Sequence, residues 1–590
     1  MSSPSLKDLV DQWLLLDSNS ETRNEIQSLW NRNELDELER RMRARIEFGT
    51  AGLRGRMEAG WARMNDLIII QASQGLAAYV LQHVEGAITR GLVVGHDHRH
   101  HSEHWARLTA QVFLAKNIKV YLLRGLNHTP MVPFSVKELN AACGVMITAS
   151  HNPKQDNGYK VYWENGVQII APHDEGISQA IQLNLQPQKY DASSLSLCVD
   201  LTASLQKKYF ECLKLLNRTR GLNATLEHTF VNTSMHGVSD AFVKQAFDIF
   251  GFPPYTPVLE QQKPDPEFPT VLFPNPEEKG ALDLALATAE KTGVGYVLAQ
   301  DPDSDRFTAA ERSETGEWIL FTGDQLGSLF ASRVLHAYKA SNAPVEKLAM
   351  VASTVSSKMI EAMAKLKGFK FVECLTGFKF IGNTALHLEA EGYDVPFGYE
   401  EAIGFMFGSQ IRDKDGVAAT VTFAELVASL PAQGKTVNGH LQELYERYGY
   451  FETRNSYFIC NDSQLTNRIF TDIRNREPHL TSASYPKTLA SLCINRIVDL
   501  TTGYDSGNPP SYTPSLPLSS GHMIQIRAGS EVLGINLVLT LRTSGTEPKI
   551  KYYLEGSGKD AKTVDSLLSK AVADISENWV QANKHGIRKA

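Results

Sequence analysis

The residues best suited to chemistry lie in short polar clusters, and one of these is the carboxylate-rich segment DPDSDR at 301–306. It directly follows the apolar run GVGYVLAQ. Three carboxylates at alternate positions would repel one another unless a hard cation neutralised them. A calcium-binding EF-hand loop is excluded, because it needs Gly at its sixth position and Glu at its twelfth, where this chain has Arg306 and Arg312. The segment therefore predicts a Mg²⁺ site formed by Asp301, Asp303 and Asp305.

A second cluster, TASHNP at 148–153, offers a hydroxyl that could carry phosphate beside such a cation. Mg²⁺ completes its coordination shell with phosphate oxygens, and a serine is a poor nucleophile unless a base or a metal activates it. No GxSxG elbow surrounds Ser150, and neighbours in sequence usually turn their side chains apart, so a hydrolase triad with His151 is not expected. Lys160 is the candidate general acid/base if local cations lower its pKa.

Two further clusters suit a phosphorylated sugar. The segment RTSGTEPK at 542–549 combines a guanidinium, hydroxyls and the backbone amides of a glycine turn, which are the donors that hold a phosphate dianion. The segment GYEEA at 398–402 presents carboxylates that can accept hydrogen bonds from sugar hydroxyls. Loops use Gly, Ser and Glu freely, so either cluster could instead be structural.

Strand ends and loops must position these clusters, and the hydrophobic pattern of the sequence predicts where the strands lie. Apolar runs such as LVVGHD, GVMITAS, TFVNTS and LAMVAST alternate with helix-like stretches, which predicts α/β domains with buried sheets. Ligands in such sheets collect at the carboxyl ends of strands. After about residue 450 the pattern changes to alternating strands and one terminal helix, which predicts an α+β domain. A chain of 590 residues is expected to form about three to five domains.

The composition indicates which classes of binding partner are not expected. The formal net charge of -7 and the pI near 6.2 give no electrostatic reason to expect nucleic acid or an anionic membrane. Six dispersed cysteines without a CxxC indicate neither a disulfide scaffold nor a zinc ribbon, and the His-rich GHDHRHHSEH matches no established zinc spacing. With no signal-like N-terminal segment and no run of eighteen apolar residues, we expect a cytoplasmic protein that acts on small molecules.

The four clusters, in this order and at this spread, closely resemble the α-D-phosphohexomutase superfamily, the phosphoglucomutases and phosphomannomutases. The resemblance runs from FGTAGLRG near residue 50 to RTSGTEPKIKYY near residue 550. It implies an α/β fold of three mixed α/β domains plus a smaller C-terminal α+β domain around a central cleft. The implied domains are 1–205 with a phosphoserine loop, 206–323 with a metal-binding loop, 324–448 with a sugar-recognition loop, and 449–590 with a phosphate-binding loop.

The resemblance also implies a role for individual residues. Ser150 would be the phosphoserine nucleophile and a metal ligand, beside the Mg²⁺ ligands Asp301, Asp303 and Asp305. Three further residues would be catalytic, namely Lys160 as general acid/base, Arg54 as a phosphate contact, and His151. The substrate-binding residues would be Arg306, Gly377, Lys379, Glu400, Arg542, Ser544, Gly545 and Thr546.

On this resemblance the protein passes the phosphate of Ser150 to a monophosphorylated sugar through a sugar bisphosphate, with glucose 1,6-bisphosphate as primer. GYEEAIGF, MHGV and GHDHRHH look most like the branch of the phosphopentomutases (phosphoribomutases) and the glucose-1,6-bisphosphate synthases. Ala402 stands where glucose-directed members usually carry Ser, which favours ribose or deoxyribose 1-phosphate as substrate and leaves phosphoglucomutase activity open. The alternatives are a bisphosphate synthase, a strict phosphoglucomutase, an idle sugar-phosphate sensor and a phosphatase.

Overall fold

The computed structural model describes residues 4–49, 52–226, 229–476, 484–544 and 548–589. The chain forms two compact units. Unit 1 comprises Met1–Ala352 and Gly377–Asn438, and unit 2 comprises Ser353–Thr376 and Gly439–Ala590. Within the described residues, no helix is both long and apolar enough to cross a membrane.

The first part of unit 1 is a five-stranded sheet with helices on its faces. The strand order is β1-β5-β4-β2-β3, in which β2 runs parallel to β3 and β4 while β5 is antiparallel to β4 and β1. Strands β2 and β4 are buried along their whole length, as expected of apolar strands covered on both faces. The elements are α1 (Leu6–Leu16), α2 (Ser20–Asn31), α3 (Leu35–Met42), β1 (Gly52–Arg56), α4 (Asp66–His83), α5 (Ala87–Arg90), β2 (Leu92–His96), α6 (Ser102–Ala115), β3 (Val120–Leu122), α7 (Met131–Glu138), β4 (Cys143–Ile147), β5 (Asp156–Trp163) and α8 (His173–Leu183).

A second five-stranded sheet follows, in the order β10-β9-β8-β6-β7. Its central strand β8 is parallel to β6 and antiparallel to β9, so β8 ends at the edge of the sheet where β9 begins. The elements are α9 (Thr202–Lys214), α10 (Arg220–Asn223), β6 (Phe230–Thr233), α11 (Ser239–Phe250), β7 (Thr256–Pro257), α12 (Leu259–Gln262), α13 (Asp283–Thr292), β8 (Tyr296–Gln300), β9 (Phe307–Arg312) and β10 (Trp318–Leu320).

The third α/β region of the chain contributes to both units. In unit 1, β13 pairs in parallel with β11 and in antiparallel with β14, and the apolar helix α17 is buried along nearly its entire length. Helix α15 and strand β12 belong to unit 2. The elements are α14 (Gly323–Ala340), β11 (Leu348–Ser353), α15 (Met359–Lys367), β12 (Lys370–Cys374), α16 (Phe378–Ala390), β13 (Asp394–Glu400), β14 (Gly404–Phe407), α17 (Gly416–Ser429) and α18 (Val437–Tyr448).

The rest of unit 2 is built on an antiparallel sheet, in the order β17-β18-β20-β21-β22-β16-β23. Alternating residues of β20 and β21, such as Ile524 and Leu539, enter one apolar core together with residues of α19 and α20. The elements are β15 (Tyr450–Thr453), β16 (Ser456–Ile459), α19 (Ser463–Arg474), β17 (Thr488–Leu489), β18 (Leu492–Asp499), β19 (Tyr504–Asp505), β20 (Met523–Ser530), β21 (Ile535–Thr543), β22 (Lys549–Gly558), α20 (Ala561–Asp574), α21 (Ala582–His585) and β23 (Arg588–Lys589).

The predicted fold class is confirmed, since three α/β regions precede a sheet-rich C-terminal region. The expectation of one terminal helix after residue 450 is wrong, because α19 packs on the same face of the sheet as α20. In its sequence, SQLTNRIFTDIR, the buried residues Ile469, Phe470 and Ile473 recur at helical spacing, so the amphipathic signal for this helix was present in the sequence. The four domain boundaries and their arrangement around a central cleft stay predictions.

Candidate active site

Ser150 and Asp301, which are 151 residues apart in sequence, meet at the ends of two strands. Ser150 lies three residues after β4, and Asp301 directly follows β8. The Ser150 hydroxyl donates a hydrogen bond of 2.7 Å to Asp301 Oδ2, and only 3% of Ser150 is exposed. The structure therefore brings together two of the clusters that the sequence singled out.

The three carboxylates of the metal-loop prediction are buried and converge. Each of Asp301, Asp303 and Asp305 offers one oxygen, and these oxygens lie within 4.8 Å of one another. Both oxygens of Asp301 accept hydrogen bonds, from the Ser150 hydroxyl and from the Arg306 backbone N–H, but Oδ1 of Asp303 and Oδ1 of Asp305 are buried without a hydrogen-bond partner. An orphaned buried carboxylate oxygen is costly, and a hard divalent cation is the group that oxygen ligands of this kind satisfy. The residues present therefore fit a metal ion.

Burial and the surrounding charges move the pKa values of Asp301 and Asp303 in opposite directions. Burial, followed by the charges of Asp303 and Asp305, raises the pKa of Asp301 well above its usual value. Burial acts in the same direction on Asp303, but the Lys160 ammonium and the hydrogen bonds around Oδ2 hold the pKa of Asp303 well below its usual value. The charges of Asp303 and Asp305 thus disfavour a negative charge on Asp301, and a bound cation would relieve that repulsion.

Lys160 lies on β5 and bridges two of the carboxylates. Its ammonium donates to Asp303 Oδ2 at 2.7 Å and to Asp305 Oδ2 at 3.0 Å. The condition placed on it, that local cations lower its pKa, is wrong for this structure. Burial does lower the pKa of Lys160, but the two carboxylates more than offset it, so the pKa is raised overall. In this arrangement the raised pKa favours the protonated ammonium, which can donate a proton.

His151 lies against Ser150 instead of turning away. Its Nδ1 is 3.3 Å from Ser150 Oγ, which contradicts the expectation from their adjacency in sequence. The reason is the backbone of Ser150, whose φ of +53° departs from the extended conformation in which neighbouring side chains alternate. Burial, and then the charges of Arg306 and Arg54, depress the pKa of His151 well below its usual value, so the imidazole is neutral.

Two arginines supply positive charge around this serine. Arg54, on β1, donates to Asn152 Oδ1 at 3.2 Å, and its side chain is exposed and open to a ligand. Arg306 follows the third carboxylate, and its Nε is buried without a hydrogen-bond partner. Burial lowers the pKa of Arg306, but the charges of Glu400, Asp305 and Asp301 raise it by more than burial lowers it. The pKa is therefore raised overall, and the guanidinium keeps its charge. An anion would satisfy the orphaned N–H.

The sugar-loop cluster reaches the metal-loop cluster. Glu400 ends β13 and is buried, and a bridge between Arg306 and Gly404 joins the two loops. Burial raises the pKa of Glu400, while the nearby charges of Lys414 and Arg306 oppose that rise. Glu400 thus lies near enough to two cations for their charges to act on it.

Lys414 is a member of the site that the sequence analysis missed. It is buried, with its ammonium 3.4 Å from Asp305 Oδ2 and 3.7 Å from Asp413 Oδ1. Burial lowers the pKa of Lys414, and Asp305, Asp413 and Glu400 raise it well above its usual value. The available signal was the segment RDKDG at 412–416, a run of alternating charges next to an apolar stretch.

Glu277 was also missed. It lies in the long loop between α12 and α13, near enough to Arg306, Glu401, Asp324 and Glu400 to interact with their charges. Its side chain reaches solvent on one side, and protein surrounds the carboxyl group on the others. The protein around it raises the pKa of Glu277 to about 7, chiefly by desolvation, while Arg306 acts in the opposite direction. No periodic pattern in FPNPEEKG marks this residue in the sequence.

Gly377 and Lys379 stand at the start of α16. Gly377 has a φ of +117°, a conformation that favours glycine, and it is the residue that directly precedes the helix. Lys379 is buried, with its ammonium 3.8 Å from Asp174 Oδ2, and burial lowers its pKa. Among the described residues its ion-pair partner is thus Asp174, and the structure does not pair it with the metal-loop carboxylates.

The predicted phosphate-binding loop lies in unit 2. Arg542 stands near the end of β21, with Nη2 3.4 Å from the Tyr553 hydroxyl and Nε buried without a hydrogen-bond partner. The Ser544 backbone N–H donates to the Lys549 carbonyl at 2.9 Å. Gly545 and Thr546 lie outside the described residues.

Comparisons with known proteins identify the family to which the sequence belongs. Models of the phosphoglucomutase/phosphomannomutase α/β/α domains I, II and III match residues 45–187, 207–316 and 322–448. A phosphopentomutase of Homo sapiens is 43% identical over 596 residues, which cover 98% of this chain and 96% of that protein. A glucose 1,6-bisphosphate synthase of Homo sapiens is 41% identical over 606 residues, which cover 99% of this chain and 96% of that protein.

A solved structure supports the fold. The open form of the Paramecium phosphoglucomutase pp63/parafusin aligns with a TM-score of 0.64 at 19% identity, covering 90% of this chain and 95% of that one. Three consecutive domain models and two relatives above 40% identity along nearly the whole length place the sequence in one family. The chain belongs to the phosphoglucomutase/phosphomannomutase family of the α-D-phosphohexomutase superfamily, a family of phosphosugar mutases.

Proposed function

We propose that this phosphosugar mutase is Mg²⁺-dependent and interconverts 1-phosphate and 5- or 6-phosphate sugars through a phosphorylated Ser150 and a sugar bisphosphate. The single observation that carries the proposal is the 2.7 Å hydrogen bond between Ser150 and Asp301, at the edge of a buried carboxylate triad. A hydroxyl in that place lies beside the metal ion that the three carboxylates would hold, and that ion would stabilise a phosphate on the hydroxyl.

Asp301, Asp303, Asp305 and Ser150 would hold the Mg²⁺. The ion would neutralise the carboxylates and stabilise the negative charge of the phosphoryl oxygens. The two orphaned Oδ1 atoms of Asp303 and Asp305 support this assignment.

The chain's own side chains would position the phosphate and the sugar. Arg54 and Arg306 offer guanidinium donors to phosphate oxygens, and Glu400 accepts hydrogen bonds from sugar hydroxyls. Lys160, protonated at Nζ, can donate a proton to an oxygen that leaves beside Asp303 and Asp305. Phosphoryl transfer depends mainly on such positioning and charge stabilisation.

A bisphosphate must be held at both of its phosphates. Arg542, Ser544, Gly545 and Thr546 would bind the phosphate distal to Ser150, and Gly377 and Lys379 would line a second ligand loop. The orphaned Nε of Arg542 supports the first assignment. Glucose 1,6-bisphosphate would serve as primer, because it can phosphorylate Ser150 and leave a monophosphate behind.

Ribose or deoxyribose 1-phosphate is the proposed substrate. Ala402 supplies no hydroxyl in the sugar loop, and one of the similar proteins is named phosphopentomutase. Phosphosugars are the proposed partners, with no nucleic acid or membrane, and the proposed location is the cytoplasm.

The test is conversion of ribose 1-phosphate to ribose 5-phosphate, with glucose 1,6-bisphosphate as primer and with Mg²⁺ present or removed by a chelator. The proposal expects turnover that Mg²⁺ restores and a kcat/KM above that for glucose 1-phosphate. A hexose preference would make the protein a phosphoglucomutase, and turnover that persists without Mg²⁺ would contradict the metal assignment.

A second candidate is synthesis of glucose 1,6-bisphosphate, favoured by the 41% identity to a synthase of that name. The same residues would serve, with Ser150 charged by an acyl phosphate. The two functions differ in whether the bisphosphate leaves the protein. Net accumulation of bisphosphate from glucose 1-phosphate and an acyl phosphate would support the synthase.

A further inference from the structure

The loop that carries Ser150 is organised around one buried arginine, Arg99, which lies three residues after β2 and is 3% exposed. Its Nη2 donates to the backbone carbonyls of Ser150 at 2.5 Å and Asn152 at 2.6 Å. Its Nη1 donates to the carbonyls of Pro153 at 2.9 Å and Asp156 at 3.1 Å. Four carbonyls of one seven-residue segment thus converge on a single guanidinium.

The guanidinium is itself held in place. Arg99 Nε lies 3.4 Å from Asp97 Oδ2, while Asp97 Oδ1 accepts from the Arg99 backbone N–H at 2.9 Å and from the Ser102 hydroxyl at 2.6 Å. The ring of Phe268 lies 5.0 Å from the guanidinium carbon. Charge, hydrogen bonds and an aromatic face therefore fix the plane of this side chain.

Ser150 needs such support because of its backbone. A φ of +53° is unfavourable for a residue that has a Cβ, and it persists only where neighbouring groups enforce it. The Ser150 backbone N–H donates to the Thr148 hydroxyl at 2.9 Å, and its carbonyl accepts from Arg99. The peptide groups on both sides of Ser150 are thereby fixed, and with them the direction of Oγ towards Asp301.

We propose that Arg99 is a positioning residue, which holds Ser150 in its left-handed conformation and so sets the rate at which phosphate reaches and leaves Oγ. This inference rests on the proposed role of Ser150 as the phosphate carrier. Arg99 does not need to touch substrate. A lysine could not replace it, since one ammonium has three donors on a single atom, whereas the guanidinium presents its donors as a planar fork.

The experiment measures single-turnover phosphorylation of Ser150 by glucose 1,6-bisphosphate in the full chain with Mg²⁺. Arg99→Lys and Arg99→Ala are compared with Arg90→Ala. Arg90 is the matched control, because its guanidinium also holds backbone carbonyls, those of Asn140, Ala141 and Glu85, in the same α/β region but outside the serine loop. The Tm of each variant is recorded alongside.

We expect Arg99→Lys to phosphorylate Ser150 about 100-fold more slowly than the wild type, the scale of a displacement of about 1 Å, with KM for the sugar phosphate within about twofold. We expect Arg90→Ala to keep the wild-type rate of Ser150 phosphorylation even if its Tm falls by as much as that of the Arg99 variants. Guanidinium ion at a non-denaturing concentration should restore part of the rate in Arg99→Ala, and this readout applies even if Arg99→Lys does not fold.

Three results would overturn the inference. The first is a wild-type rate of phosphorylation in Arg99→Lys. The second is a loss of rate that depends only on the fall in Tm, in Arg90→Ala and the Arg99 variants alike. The third is a folded Arg99→Ala protein whose rate guanidinium ion does not restore. Failure of the proposed function looks different, because the wild-type protein itself would then take up no phosphate at Ser150.

Discussion

Ser150 Oγ and Asp301 Oδ2 are 2.7 Å apart, although 151 residues separate them in the sequence. The serine follows β4 of the first sheet, and the aspartate follows β8 of the second. The proposed chemistry therefore depends on two α/β regions presenting their strand ends to each other.

The metal assignment predicts a loss of Mg²⁺ affinity in Asp303→Asn. The substitution replaces a charged carboxylate, whose Oδ1 has no hydrogen-bond partner in the structure, by a neutral amide. We expect Mg²⁺ affinity, measured by calorimetry, to fall at least about 10-fold, since even groups that only support a metal ligand are worth about 10- to 100-fold. The exposed Asp248→Asn is the control, and equal affinities in both variants would contradict the assignment.

Removing the ammonium from the carboxylates should impair both stability and turnover. In Lys160→Met, Oδ2 of Asp305 loses its 3.0 Å hydrogen bond and Asp303 keeps only that of Thr129. Without metal, the free energy of unfolding should fall by about 3–5 kcal/mol, as when one partner of a buried ion pair is deleted. With Mg²⁺, kcat should fall by about 10²- to 10⁴-fold, the usual contribution of a general acid or base.

Denaturant titrations measure the first effect and steady-state kinetics the second. A Lys160→Met protein with wild-type kcat would show that this ammonium moves no proton in turnover.

Glu277 predicts a pH dependence of stability. Its pKa is about 7 in the folded protein and lies near 4.5 in an unfolded chain, so between these values the folded state holds a proton that the unfolded state has released. Stability from this group is therefore present below about pH 4.5 and is lost as the pH rises through about 7. Glu277→Gln should flatten the fall in unfolding free energy across that window.

Urea titrations at several pH values measure this slope, with Glu278→Gln as the control at the next position. If Glu277→Gln and wild type showed the same slope, Glu277 would not carry the raised pKa.

The sugar loop predicts a shift in specificity. Ala402→Ser adds a hydroxyl next to Glu401, the position at which the family resemblance implies Ser in glucose-directed members. One hydrogen bond is worth about 0.5–1.5 kcal/mol, so the kcat/KM ratio of glucose 1-phosphate to ribose 1-phosphate should rise by about 2- to 10-fold. Ala224→Ser, at an exposed position, is the control. An unchanged ratio in Ala402→Ser would remove this residue from the specificity argument.

The strand-end clusters could be predicted from the sequence because buried parallel strands are continuous apolar runs, and polar residues directly after them stand at the ligand edge of a sheet. That pattern located Ser150, the three aspartates and Glu400. It could not locate Lys414 or Glu277, since both lie in irregular segments that only the tertiary fold brings to the site.

The charge state of the site also could not be predicted from the sequence. The pKa of Lys160 depends on two carboxylates that reach it from another sheet, and sequence proximity gave no indication of them. The contact between His151 and Ser150 depends on one left-handed backbone conformation, which no side-chain pattern announces for a serine.

The central claim is that Ser150 carries phosphate, and the most direct measurement is the site and stoichiometry of label from glucose 1,6-bisphosphate bearing radioactive phosphate. Wild-type protein, Ser150→Ala and the exposed control Ser196→Ala are compared by peptide mass spectrometry and mutase assay. The account predicts about one phosphate per chain at Ser150 in the wild type and in Ser196→Ala. Ser150→Ala should show no label, with turnover reduced by about 10³-fold or more. A Ser150→Ala protein with wild-type turnover, or label at another residue, would contradict the account.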